Sequence, residues 1–246
     1  ARRIQAELDA LTADVASSLG EISGAVRLGV IGTTGRWLLP PLLAALDAEH
    51  PRIRLVTIDA TTTSLLPQLA EGRLDLAVVN LGASHPDVDL DPLFEEEHVV
   101  LAPRDHPLAA AERLTLADLS GQPLLLEPPG TGFRDDLDAD ALRTGTTLVP
   151  QAEIDGMRLL ASLAYAGHGA AVLPASAVIE WNDGSWVVVP LEGTTPRAVG
   201  LATPRRGRLS APARATVEVL RRLVHHEVPA RKGLHLTPAG PEAARV

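Results

Sequence analysis

No cysteine occurs among the 246 residues. Its absence removes disulfides, thiolate nucleophiles, iron–sulfur clusters and cysteine zinc sites together, and fits a reducing compartment. Lysine is nearly missing too: Lys232 stands alone beside 21 arginines, and with abundant Ala, Gly and Pro this looks like the codon bias of a GC-rich genome. Aromatic residues make up only 2%. A basic excess is also lacking, since the net charge is -9 and the isoelectric point about 5.3. Duplex binding leaves a basic footprint, so these residues alone are not expected to bind DNA specifically. There is no HExxH, Walker A loop, GxSxG elbow or Cys/His cluster, and the eight histidines show no metal-ligand spacing. No catalytic residue, cofactor or metal is therefore expected.

Long apolar runs are absent as well. Arg2 and Arg3 could open a signal peptide, but Glu7, Asp9, Asp14 and Glu21 interrupt any apolar core. Residues 159–179 form an uncharged run of 21 that Gly167, His168, Gly169 and Pro174 break up. A helix, a glycine turn and a short buried strand account for it better than a membrane span.

What is present is a 46% hydrophobic, 22% charged chain long enough for one large or two small domains. Ile4, Leu8, Leu11, Val15, Leu19 and Ile22 form one apolar helical stripe, either packed on its own domain or dimerising. From Val26 the pattern alternates strand and helix, the signature of parallel α/β architecture. Strands are expected at 26–32, 53–60 and 74–81, with helices from about 38 to 49 and over 61–72. Pro40 and Pro41 are expected in the first helix's first turn. Residues 85–97, with six carboxylates, read as a solvated loop before a crossing strand at 97–103. A second set follows: strands at 124–128, 147–154, 170–174 and 186–191, and helices near 132–143 and 156–166. A strand at 197–204 and a helix from about 211 to 226 close the alternation, and the tail after Pro229 is expected to be flexible.

Small hydroxyl and glycine residues recur where strands end and helices begin: Gly32-Thr33-Thr34-Gly35, Thr61-Thr62-Thr63-Ser64, Gly130-Thr131-Gly132 and Asp155-Gly156. Ligands of open α/β sheets bind at that edge, and exposed helix N–H groups favour an anion. The same residues could equally be helix caps. Trp37 and Phe133 lie in or beside these loops and could line a pocket. GTGFRD at 130–135 imitates a dinucleotide fingerprint but lacks its third glycine and a matching acidic residue. Seven arginines against Glu218 cluster over 197–222, which reads as a solvated or subunit-facing surface.

GxVRLGVIG, LLPPLLAALDAEHPRIRL, SLLPQLAEGRLDLAVV, LAPRDHPLA and LLASLAYAGHGAAVLP stand in the order and spacing of a known family. Over about residues 1–227 the chain resembles the effector-binding domain of LysR-type transcriptional regulators. The resemblance implies two Rossmann-like α/β lobes joined by two crossing segments, like type 2 periplasmic binding proteins, with a small effector in the cleft. It assigns 1–23 to a linker and dimerisation helix, 24–97 with 199–228 to lobe I, 98–198 to lobe II and 229–246 to the tail. Thr33, Thr34, Thr62 and Thr63 become first-lobe effector contacts, and Thr131, Phe133 and Asp155 second-lobe ones, with Trp37 beside them. It further implies a cytoplasmic homodimer or tetramer, an effector for which a small carboxylate is the default, and DNA binding only through an N-terminal winged helix-turn-helix absent here. His168 departs from the pattern, which usually has an apolar residue there. A transporter's solute-binding protein and a small-molecule enzyme on the same scaffold remain alternatives.

Overall fold

The computed structural model describes residues 22–179 and 184–237. They fall into two compact units, one of 22–95, 198–231 and 235–237, the other of 96–197 and 232–234. The stripe from Ile4 to Leu19 lies outside the described residues, as does the end of the tail.

The first unit opens with a β-α-β-α-β run: β1 (Gly24–Val30), α1 (Gly32–Glu49), β2 (Ile53–Asp59), α2 (Thr62–Ala70) and β3 (Leu76–Asn80). β1 lies between its two parallel neighbours, pairing Val30 with Asp59 on one side and Val78 on the other. β4 (Val88–Glu96), β11 (Arg197–Pro204) and β12 (Leu234–Leu236) complete a sheet of order β12-β4-β11-β3-β1-β2, with β11 antiparallel to β3. α5 (Ala211–Glu227) packs on α1 and β1. Gly29 is what lets α2 sit down on β1, because a Cβ there would stand 2.7 Å from a Leu65 methyl.

The second unit repeats the scheme. β5 (His98–Pro103), β6 (Leu114–Thr115), β7 (Pro123–Leu126), α3 (Gly132–Arg143), β8 (Val149–Glu153), α4 (Met157–Tyr165), β9 (Ala170–Pro174) and β10 (Trp186–Glu192) give the order β6-β10-β5-β9-β7-β8. β7 again lies between parallel β8 and β9, while β5 runs antiparallel to β9 and β10. The uncharged run 159–179 becomes α4, a turn at Gly167 and fully buried β9. Among the described residues no helix is long and apolar enough to cross a membrane.

Three local expectations need correction. α1 begins at Gly32, six residues earlier than its apolar pattern suggests, so Pro40 and Pro41 lie inside it. Each removes an interior hydrogen bond, a defect of about 3 kcal/mol. Buried Leu38, Leu42 and Leu46 offset it, at roughly 1.5–3 kcal/mol per side chain. The acidic stretch 85–97 is mostly strand β4 rather than loop. Its Val88, Leu93 and Phe94 turn inward, while exposed Asp89 and Asp91 pair with Arg205 and Arg221, both at 2.7 Å. Within the stretch read as a flexible tail, Leu234–Leu236 form a strand. Arg222 pairs with Glu49 at 2.5 Å, so much of the arginine cluster is held in ion pairs on the first unit's surface.

Candidate effector site

In both units successive connections run in opposite directions across the central strand, β1 to β2 and then from β2 back past β1 to β3, β7 to β8 and then from β8 back past β7 to β9. That makes a topological switch point at the carboxyl ends of β1 and β3, and another at those of β7 and β9. Ligands of open α/β sheets bind at such points.

At the first unit's switch point, α1 starts directly after β1 and brings Thr33 and Thr34 into buried positions in its first turn. Thr34 is 0% exposed and its Oγ1 has no hydrogen-bond partner. Across from it, Asn80 ends β3. Its backbone N–H donates to buried Thr62 Oγ1 at 3.0 Å, which ties the start of α2 to the end of β3. The Asn80 Oδ1 atom is shut off from solvent and also lacks a partner. Thr63 is exposed, its hydroxyl 3.1 Å from that of Thr61. Trp37 points elsewhere: its ring packs edge-on to Phe94 at 5.5 Å, with the Arg231 guanidinium 4.9 Å from its centroid.

The capping reading of these hydroxyls fails on geometry. α1, α2, α3 and α4 all start without a side-chain cap hydrogen bond. α5, away from the switch points, has an ordinary Ser210 cap on Ala213 N–H. Thr131 donates instead to Pro128 O at 3.0 Å, and Asp135 reaches back to Gly130 N–H at 2.8 Å. Gly156, at the start of α4, adopts φ 128°, open only to glycine.

The second unit's switch point is more strongly charged. Half-buried Glu127 follows β7, and burial pushes its carboxyl above the usual range against the opposing pull of neighbouring Thr131, the Arg197 charge and the Gly156 N–H. Beyond β9, Ser176 N–H donates to Glu96 at 3.0 Å. Glu96 is 0% exposed and is paired with Arg197, whose Nε donates to it at 2.6 Å and whose Nη2 reaches Ser176 Oγ at 3.5 Å. His98 lies beside this pair, edge-on to Phe133 at 5.0 Å. Burial first, then the Arg197 charge, lower its pKa to about 4, so the ring is neutral at pH 7. Phe133 therefore belongs to this unit's core, and Asp155 is exposed beside Gly156.

Thr33, Thr34 and Thr62 thus gather at one switch point and Thr131 and Asp155 at the other, whereas both aromatic candidates turn inward. Arg134 is buried and engaged with Asp138, Glu153 and the Glu127 carbonyl. His168 is exposed in the turn before β9, at the opposite end of that strand from the switch point; its carbonyl accepts from Gln151 at 2.8 Å. Asn80, Glu127, Ser176, Glu96 and Arg197 escaped the sequence reading. A lone polar residue closing an apolar strand, as in LAVVN and LLLE, signals the first two. Nothing local signals the others.

Among the described residues no group of histidine and carboxylate side chains could hold a metal ion. The first switch point presents hydroxyls, an amide and helix N-termini, and the second adds to its hydroxyl and helix N-termini the Glu127 carboxyl and the Glu96–Arg197 pair.

Residues 19–224 match the family model described as the LysR substrate binding domain, so the chain belongs to that family. This is the effector-binding regulatory domain of LysR-type transcription regulators, a family of regulators and not of enzymes. The chain is 32% identical over 215 residues to the hydrogen peroxide-inducible genes activator of Dickeya chrysanthemi, covering 85% of this chain and 70% of that one. It is 30% identical over 222 residues to the DNA-binding transcriptional dual regulator OxyR of Escherichia coli K12, covering 87% and 72%. Among solved structures it is similar to the reduced form of the OxyR regulatory domain from Pseudomonas aeruginosa, with a TM-score of 0.68, 28% identity and coverage of 82% of this chain and 97% of that one.

Proposed function

We propose that small polar effectors are recognised at the switch-point ends of the β-strands, with Thr33, Thr34, Thr62 and Thr63 as the contacts that the first unit offers and Thr131 and Asp155 as those that the second unit offers. The observation that carries this is the pair of buried, unpartnered oxygens of Thr34 and Asn80 at the first switch point. A buried polar atom without a partner costs about 1–3 kcal/mol, a penalty that a ligand supplying the missing hydrogen bond relieves. The uncapped starts of α1 and α2 add N–H groups at the first unit's switch point, and those of α3 and α4 do so at the second unit's. Trp37 and Phe133 support their units from inside.

The effector shifts the regulator between states through its differential affinity for them. On this reading DNA binding belongs to an N-terminal winged helix-turn-helix, and the regulator acts in the cytoplasm as a homodimer or tetramer. The leading apolar stripe supports self-association, which Leu8→Asp with Leu11→Asp should weaken in sedimentation. A carboxylate is the family default for the effector, and the helix N-termini favour it by roughly 0.3–1 kcal/mol each.

Several relatives carry hydrogen peroxide in their names, but this chain has no cysteine to oxidise. Its signal is therefore occupancy by a ligand rather than thiol chemistry. Calorimetric titration of small-molecule candidates against wild type and Thr33→Val tests the site. A ligand that raises the melting temperature and binds the variant equally well refutes it.

A further inference from the structure

We propose that residues 229–237 form a regulatory strap that couples the two switch points. Its regulatory role rests on those points being the effector sites.

After α5 the chain passes from the first unit into the second at residues 232–234 and returns to the first at 235. It is anchored in each. In the first unit Arg231 places its guanidinium 4.9 Å from the centroid of Trp37, one helical turn along α1 from Thr33 and Thr34. In the second, Gly233 adopts φ 73° and its carbonyl accepts the Glu97 N–H at 2.8 Å. A Cβ on Gly233 would stand 2.8 Å from that of Ala175, so only glycine lets the strap lie this close. The Glu97 carbonyl in turn accepts the Ala175 N–H at 2.9 Å. The next residues on either side, Glu96 and Ser176, are joined at 3.0 Å and share Arg197. One anchor thus bears on the start of α1, the other on the buried pair beyond β9.

β12 then runs along the edge of the first unit's sheet beside β4, where Thr237 N–H reaches Leu93 O at 3.4 Å. It is three residues long and has a neighbour on one side only, so it opens more readily than the core strands. A segment that opens readily and is fixed at both sites responds to whatever orders either one, and by linkage the effect is reciprocal.

Native-state hydrogen exchange of the isotope-labelled 246-residue chain tests the coupling without a ligand. Arg231→Ala releases only the first-unit anchor and Gly233→Val only the second, with Lys232→Ala at an exposed strap position as the control. The reporters are the amides of Gly35, bonded to Ile31 O at 2.9 Å at the start of α1, and of Ser176. Each variant is expected to speed exchange about tenfold at the reporter of the opposite unit as well as its own, a coupling of ordinary allosteric size. Lys232→Ala should speed neither, and the amide of fully buried Val78 in β3 should stay unchanged in all three. Gly233→Ala replaces the valine variant if that one loses signal dispersion. Acceleration confined to the strap, to β4 or to the altered anchor's own unit overturns the inference, as does equal acceleration at Val78 or in Lys232→Ala. Cross-effects together with unaltered ligand binding by Thr33→Val keep the coupling and overturn its role in effector sensing.

Discussion

Thr34 and Thr216 are both 0% exposed and both sit in helices, yet replacing each by valine should move stability in opposite directions. Thr216 Oγ1 donates to the Pro212 carbonyl at 2.8 Å, whereas Thr34 Oγ1 has no partner. Valine keeps the branched shape and volume and exchanges the hydroxyl for a methyl. At Thr34 this removes an unmatched buried hydroxyl, whose desolvation penalty is about 1–3 kcal/mol, so Thr34→Val should gain about 1–2 kcal/mol. At Thr216 it deletes a made hydrogen bond, and the loss should be about 0.5–1.5 kcal/mol. For a chain of this size each kcal/mol moves the melting temperature by roughly 2–4 °C. Urea unfolding followed by far-ultraviolet circular dichroism, with both variants beside wild type, measures the two signs directly. Thr34→Val should also bind the effector less tightly, a trade of stability for function. A Thr34→Val variant as destabilised as Thr216→Val would refute the reasoning, because it would mean that the hydroxyl already has a partner.

Thr62→Val leaves the buried Asn80 N–H unpaired and should lower stability by about 1–3 kcal/mol, readable as a lower urea midpoint. His98, facing Arg197, Glu96 and Asp140, has its pKa lowered from 6.5 to about 4. Its contribution is complete above pH 6.5 and is lost as pH falls toward 4, roughly 3 kcal/mol across that window; His98→Leu should flatten that part of the stability–pH curve. Glu127 titrates in the other direction: its raised pKa means a penalty at neutral pH, so Glu127→Gln should melt higher at pH 7, with the gain shrinking as pH falls through the carboxylate range. Asp140→Ala removes a carboxylate that holds Thr195 N–H at 2.5 Å and Arg143, and should loosen the β10–β11 turn, seen as faster amide exchange at Thr195.

Periodicity alone determined much of this protein. The strand-then-helix alternation in each half specified two α/β sets, because a period of 2 and a period of 3.6 cannot serve the same element. The hydroxyl–glycine loops at strand ends pointed to the edge where ligands bind, since only there do helix N-termini and strand ends meet. Sequence could not decide what each hydroxyl does: Thr62 ties down Asn80, Thr131 bonds Pro128, and Thr34 bonds nothing, a difference set by neighbours up to 18 positions away. Nor could it show that buried leucines would carry two prolines inside α1, because propensity is local and packing is not. The acidic stretch before His98 read as loop until arginines more than 100 residues away neutralised Asp89 and Asp91 and made it a strand. Glu96 and Arg197 lie 101 residues apart, and only the fold makes them one buried pair beside Ser176. Local pattern fixes elements because backbone geometry repeats along the chain; site chemistry belonged to the tertiary structure because it depends on which distant side chains share a low-dielectric interior.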